Sequence, residues 1–557
     1  MDDSDRLQAD LFYADTDRAP GDSNVRKFGL IVHPPVFLIS VTLILVFMLL
    51  TLVFQSTAAA VFGSIQSGIA VNAGWFYTMT MSVVLVFVVV VALSKYGSIR
   101  FGGPTANPEF SLFAWVAMLF SAGMGIGLMF FSVAEPVSHF GTPPIGETGT
   151  PATAETAMAF TYLHWGLHPW AVYALVGLGL AFFSFNRGLP LTIRSVFWPI
   201  LGDRIYGWPG HLVDTLAVFA TIFGLATSLG IGAGQINAGL NTISAQFTPT
   251  TVPVGTGIQI ALITAITAVA VLSVSVGLDR GVRRLSELNV YLMLLLMGTL
   301  LVVGPTLFIV GSYFQSLGVY LQRFPEMALW TDTYAGGTWQ QDWTLFYWGW
   351  WIAWSPFVGM FIARISKGRT IREFVIGVLL VPSLFSFFWM SAFGGSALWV
   401  ELETDESMVG AVEADIATAL FELYSFFPLA AALSVLSVIL VVTFFVTSSD
   451  SGSLVVSSLT CGGLPDAGRN LRIFWALFEG AVAAVLLLGG GLAALQAAAI
   501  ATGLPFAVVL LCMCGTIWMG LHREYQILHS EECRERLDEE TAATLPGRPA
   551  VETADDD

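Results

Sequence analysis

Predominantly apolar stretches of about twenty residues recur along almost the whole chain, each long enough to cross the hydrocarbon core of a bilayer as a helix. Such runs lie near residues 34–55, 74–95, 110–135, 157–186, 211–241, 257–277, 288–313, 344–366, 373–398, 428–458, 471–494 and 499–520. Lipid offers no partners for backbone N–H and C=O groups, so a chain of this kind must fold as membrane helices. Composition agrees: 11% of the residues are charged, against about 25% in soluble domains. A soluble enzyme, a disordered protein and a disulfide-rich secreted domain are thereby excluded. Cys461, Cys512, Cys514 and Cys533 form no metal or disulfide pattern. The polar, acidic first 28 residues contain no cleavable signal peptide. Several runs exceed one span, which predicts tilted or broken helices.

Basic residues set the orientation. With the N-terminus inside, fourteen Lys and Arg fall in inner loops, one (Arg323) in outer loops and eight in the tails. That asymmetry predicts an all-α integral membrane protein with twelve transmembrane helices and both termini cytoplasmic. The expected organisation is an acidic tail at 1–30, a transporter-sized membrane domain at 31–522 and a second acidic tail at 523–557. Both tails read as disordered, at least at their ends. The net charge is −17, which argues against a nucleic-acid partner. Only Lys27, Lys95 and Lys367 are lysines, and acid excess with few lysines resembles proteins of salt-loving microbes. Residues 314–343 mix Tyr320, Leu321, Phe324, Leu329 and Trp330 with polar residues, as an amphipathic outer-surface helix or an aromatic-rich loop does.

Polar and helix-breaking positions at membrane depth point to function. Gly123-Met124-Gly125-Ile126-Gly127 weakens the third span and bares its carbonyls. In the fourth span Trp165 and Tyr173 are about two turns apart, and Pro169 is expected to break the helix and offset Trp170. The eighth span carries Trp348, Trp350, Trp351 and Trp354, with Trp350 and Trp354 on one face, before Ser355-Pro356. The tenth holds Thr447-Ser448-Ser449-Asp450-Ser451, hydroxyl oxygens of the kind a hard cation takes. Converging aromatic faces suit a cation whose charge is spread over methyl groups, as in quaternary ammonium. His164 and His168 are four residues apart without an evident third ligand, and helix packing accounts for them better than a metal. Asp450 is expected to orient neighbouring hydroxyls, and Glu135 to face the outer vestibule or pair locally. Glu479 has no evident partner.

The glycine stretch, the Trp-rich span and the Thr-Ser-Ser-Asp-Ser run resemble, in order and spacing, the betaine–choline–carnitine transporters. The resemblance covers roughly residues 30–520. It implies a LeuT-like fold of two inverted five-helix repeats, spans 3–7 and 8–12, preceded by two extra helices. It implies a substrate box of Trp165, Trp170, Tyr173 and Trp351, with Trp350 and Trp354 on the access route and Met124, Gly125 and Gly127 contributing backbone. It implies one Na+ site from Ala122, Met124, Phe444, Thr447 and Ser448, and a second involving Thr227, Ser228 and Phe357. Na+ would act as coupling ion, with no other cofactor and no enzymatic activity. A homotrimer in the cell membrane is also implied.

Choline-carrying relatives often have aspartate where this chain has Gly127, which favours the zwitterion glycine betaine, whereas Phe130 to Pro136 resembles choline-type members. Sodium-independent relatives place an arginine at an ion position, and residues 214–241 contain neither Arg nor Lys. The expected function is therefore Na+-driven import of glycine betaine for osmoprotection. The alternatives are choline or carnitine uptake with proton coupling and, outside the class, a channel or salt-sensing membrane protein. Residues 521–557 carry eleven acids and four bases, so regulation by a basic C-terminal helix does not carry over.

Overall fold

The computed structural model describes residues 3–123, 125–276, 279–464 and 466–544. It is helical apart from one hairpin, in which Val25–Lys27 pairs antiparallel with Leu30–Val32. Among the described residues nine helices are long and apolar enough to cross a membrane. The Arg469–Leu528 helix holds two of the predicted spans, because its backbone leaves helical geometry at Gly490 and Gly491. Gly491, at φ 63° and ψ −143°, occupies a region essentially closed to side-chain-bearing residues.

Burial sorts these helices into a core and a periphery. In Pro151–Asn186 and Trp208–Phe247, 94% and 89% of the most apolar stretch is buried, against 28% in Pro34–Val53, Thr256–Ser275 and Arg284–Val303. The outer helices display Leu43, Leu49, Leu50, Val53, Leu272 and Leu295, an arrangement suited to lipid. At the centre, Trp208–Phe247 packs along Arg469–Leu528 and Ala430–Thr460, while Leu345–Arg364 packs against Leu167–Ala181. Glycines permit this closeness. A Cβ at Gly359 would lie 2.5 Å from Val176, and one at Gly349 would lie 2.9 Å from the Ile500 backbone.

Two helices of the core are interrupted. The third predicted span divides into Leu112–Gly123 and Ile126–Gly141, with Gly125 extended between them. The fourth divides into Pro151–Trp165 and Leu167–Ala181 at Gly166. This corrects the expectation that Pro169 makes the break. Pro169 sits in the first turn of the second segment, where a missing N–H costs little.

The seventh predicted span also ends early. The chain turns at Gly304-Pro305 and resumes as Thr306–Ala328, which packs on Pro151–Trp165 and Ile371–Glu403. The amphipathic helix thus begins before residue 314 and stops well short of residue 343.

Parts of both tails form helices, whereas residues 1–2 and 545–557, the tail ends where disorder was expected, lie outside the described residues. Asp3–Phe12 meets Glu531–Thr544 through buried Phe12 and Cys533, and Arg536 pairs with Asp10 at 3.2 Å. Helix Arg469–Leu528 continues beyond residue 522 because Glu524 is held by Arg187 at 2.9 Å and by the Asn186 amide at 2.8 Å.

A polar knot ties residues 21–33 to the core. Asn24 donates to the Cys461 carbonyl at 2.7 Å, and the His33 N–H donates to that of Thr460 at 2.7 Å. The His33 ring lies 3.2 Å from His211 and 3.5 Å from Arg194, which pairs with buried Asp214 at 2.9 Å. Burial, then Arg194 and His211, push His33 down to about 3 from 6.5. The folded segment therefore refuses a proton that the unfolded segment accepts, and this anchor weakens as pH falls from 6.5 towards about 3. Hydrogen exchange in residues 21–33, corrected for intrinsic rates, is expected to accelerate between about pH 7 and about pH 4. His33→Asn should flatten that dependence.

Candidate functional site

The two interrupted helices and the Trp-rich Leu345–Arg364 helix meet in one place. Trp165, Pro169, Trp170, Tyr173, Trp351, Trp354, Val358 and Ser386 line a cavity of about 30 Å³. Trp165 ends one helical segment and Trp170 and Tyr173 belong to the next, so the Gly166 break turns them toward one space. The rings meet at steep angles. Trp165 and Trp351 are 4.9 Å apart at 75°, Trp170 and Tyr173 5.3 Å at 84°, and Tyr173 and Trp351 6.4 Å at 85°. Edge-to-face packing of this kind is a preferred arrangement of aromatic pairs. The Tyr173 hydroxyl and the Trp354 indole N–H are buried without a protein partner, a polar minority in a largely aromatic lining.

Hydrogen bonds fix the rings from behind. The Trp351 indole N–H donates to the His164 carbonyl at 2.8 Å, and that of Trp165 to Glu135 Oε2 at 2.7 Å. Trp350 stacks on Trp351 at 4.8 Å and 12°, and its N–H lies 3.3 Å from the Ser228 hydroxyl. Trp354 packs edge-on against Trp350 at 6.4 Å and against Phe357 at 5.4 Å. All six aromatic residues expected in the box and on its access route therefore form one continuous cluster.

The glycine stretch contributes two different surfaces. A Cβ on Gly127 would lie 2.5 Å from Trp350 and 3.1 Å from Trp165, so only a bare backbone fits beneath these rings. Among the described residues, a Cβ on Gly125 would meet nothing within 4 Å. Met124 lies outside the described residues, and Ala122 sits in the last turn of Leu112–Gly123.

The expected ion ligands are divided. The Thr447 hydroxyl lies 3.2 Å from the Phe444 carbonyl and accepts from the Asn289 amide at 3.3 Å. Ser448, half-buried, follows it in Ala430–Thr460. Thr227 lies 2.8 Å from the Phe223 carbonyl and 2.9 Å from that of Leu495, while Ser228 faces Trp350. Phe357 meets Trp354. Oxygen donors from hydroxyls and carbonyls fit a hard monovalent or divalent cation.

Of the two placements expected for Glu135, facing the outer vestibule or pairing locally, the structure shows local pairing with His139 and adds distant partners. Glu135 gathers His139, His164, Trp165 and Tyr347 around its carboxylate. His168, paired with His164 by spacing, instead packs against Phe324 and Trp348. The signal for Glu135 was a carboxylate four residues before a histidine in an apolar run. Ser386, a lone hydroxyl among phenylalanines, escaped notice. Asp450 pairs with Arg472 at 3.0 Å, and Glu479 meets Ser449 at 3.3 Å.

The two glycines make a direct test. Gly127→Ala is expected to lower stability by about 1–3 kcal/mol through overpacking against Trp350. Gly125→Ala should leave stability within about 0.5 kcal/mol, as at an uncrowded site. Thermal unfolding of the two purified variants separates these outcomes.

Comparison with known proteins follows the same geography. Residues 35–526 match the model of the betaine/carnitine/choline family of transporters. A glycine betaine/proline/choline transporter of Vibrio parahaemolyticus is 45% identical over 531 residues, covering 92% of this chain and 94% of its own. A second protein of that organism, glycine betaine transporter 1, is 45% identical over 528 residues, covering 92% and 98%. A glycine betaine transporter of Acinetobacter baylyi is 42% identical over 484 residues, covering 87% and 72%.

Proposed function

This chain belongs to the betaine/carnitine/choline transporter family, and from that premise we propose that it imports glycine betaine by Na+ symport. The protein is a multi-pass membrane transporter, not an enzyme. The reading extends to twelve spans in a LeuT-like arrangement, cytoplasmic termini and a place in the plasma membrane. Osmoprotection is the role such uptake serves.

The observation that carries the proposal is the convergence of Trp165, Trp170, Tyr173 and Trp351 at a helix break. A trimethylammonium head offers no N–H or O–H to donate, and ring faces attract it through the cation–π interaction, about 2 kcal/mol for a desolvated contact. The cavity, at about 30 Å³, has room for about two water molecules. Three methyl groups require more room, so binding must move the rings apart. That requirement couples occupancy to the position of Leu345–Arg364, as alternating access demands.

For the ion, Phe444, Thr447 and Ser448 supply the oxygen chemistry on one helix, and the carbonyls of Ala122 and Met124 complete the set in this reading. Thr227, Ser228 and Phe357 are the second, weaker set. Choline is a second substrate reading, favoured by the Vibrio relative whose name includes it.

Tryptophan fluorescence of the purified protein provides the test. Titration with glycine betaine is expected to give a saturable change that strengthens when NaCl replaces KCl at equal ionic strength. Trp351→Phe should weaken binding about tenfold, the equivalent of about 1.4 kcal/mol of lost ring contact. Equal responses in both salts would remove Na+ coupling, and a response to choline alone would reverse the substrate order.

A further inference from the structure

Behind the aromatic box lies a buried carboxylate to which transport gives no role so far. Glu135, fully buried, stands between three helical segments. Its Oε1 receives His164 Nδ1 at 2.7 Å and His139 Nε2 at 3.2 Å. Its Oε2 receives the Trp165 indole N–H at 2.7 Å and the Tyr347 hydroxyl at 2.5 Å. An ionised carboxylate accepts at about four lone-pair sites and donates at none. Here every site has a donor, and the indole N–H can do nothing but donate. Among the described residues His139 Nδ1 is buried without a partner, a position at which an N–H would be orphaned. His139 is therefore neutral and donates through Nε2. His164 reaches Glu135 through Nδ1 and lies 3.0 Å from the Thr344 hydroxyl through Nε2, so both ring nitrogens are engaged.

A bound metal is the competing reading, since one atom from each of Glu135, His139 and His164 lies within 4.8 Å of the others. It fits less well. Ligating imidazoles normally donate their second N–H to an acceptor, and among the described residues His139 has none at Nδ1. Oε1 and Oε2 are both already occupied by N–H and O–H donors.

We infer that Glu135 is the counter-ion of the aromatic box, acting through Trp165 to favour substrates of net positive charge. The inference rests on the quaternary-ammonium reading above. Gly127 has no room for an anionic side chain beneath Trp350, so the site's negative charge sits one indole away instead. A carboxylate accepting from an indole N–H enriches the ring in electrons, and an electron-rich face holds a cation more strongly. The same charge also attracts the ammonium directly across the ring, in surroundings where screening is weak. Glycine betaine carries its own carboxylate, which Glu135 repels, so the net benefit is larger for choline.

Glu135→Gln removes the charge with little change of shape. In NaCl, fluorescence titration is expected to show choline binding weakened about tenfold or more and betaine binding weakened less than about threefold. Glu135→Asp, which restores the charge, should return the choline-to-betaine ratio toward the wild-type value. Trp165→Phe keeps an aromatic face but loses the indole N–H, and should shift the ratio in the same direction as Glu135→Gln. Equal loss for both ligands in Glu135→Gln, or a wild-type ratio in Trp165→Phe, overturns the counter-ion role and leaves Glu135 a structural support. Wild-type protein that answers neither ligand would instead defeat the functional reading on which the inference stands.

Discussion

The close approach of the Leu345–Arg364 helix to glycine backbone on several sides is the constraint on which the site depends. Trp350 lies over Gly127, Trp354 lies beside Gly224, and Ile500 and Val176 press on Gly349 and Gly359. Within a membrane, apolar surface gains little by leaving lipid, so helices associate through tight packing of this kind. The large rings and the bare backbones are complementary parts of one interface. A methyl group at Gly127 would move Trp350, and through the 4.8 Å stack would move Trp351.

Helix breaks provide the second requirement. A continuous helix would turn Trp165 about 140° away from Trp170. At Gly166 the backbone leaves helical geometry (φ −105°, ψ −129°), and the two segments direct their aromatic residues into the same cavity. Backbone groups freed at such breaks are tolerated only where protein surrounds them. Pro151–Asn186 meets that condition, because it is among the most buried helices described.

Charge is handled differently inside and at the ends. Deep in the helices, Glu135 and Asp214 are buried with dense hydrogen-bond or ionic partners, as the cost of burying charge requires. The tails remain acidic, yet their helices are held by a few apolar residues and by pairs such as Arg187 with Glu524. Among the described residues, no charged side chain lines the box. On the proposed reading, ring faces and the carboxylate behind Trp165 are what attract a cation there.

The sequence by itself determined the solvent of the fold and much of the site. Apolar runs of bilayer length dictate membrane helices because lipid cannot satisfy an open backbone. Tryptophans at helical spacing, next to glycine and proline, marked the rings of the box for the same local reason. Local pattern also located the hydroxyls of Thr447 and Ser448. It could not locate the break at Gly166, since proline announces itself more loudly than a glycine pressed against Phe387. Acidic composition did not reveal the helices Asp3–Phe12 and Glu531–Thr544, because a handful of tertiary contacts there outweighs the polarity of the segments. The tertiary structure alone decided that Glu135 meets Trp165 and Tyr347, residues 30 and 212 positions away. Sequence spacing carries no information about such partners: their distance is set by how three helices pack, and packing is a property of the whole chain.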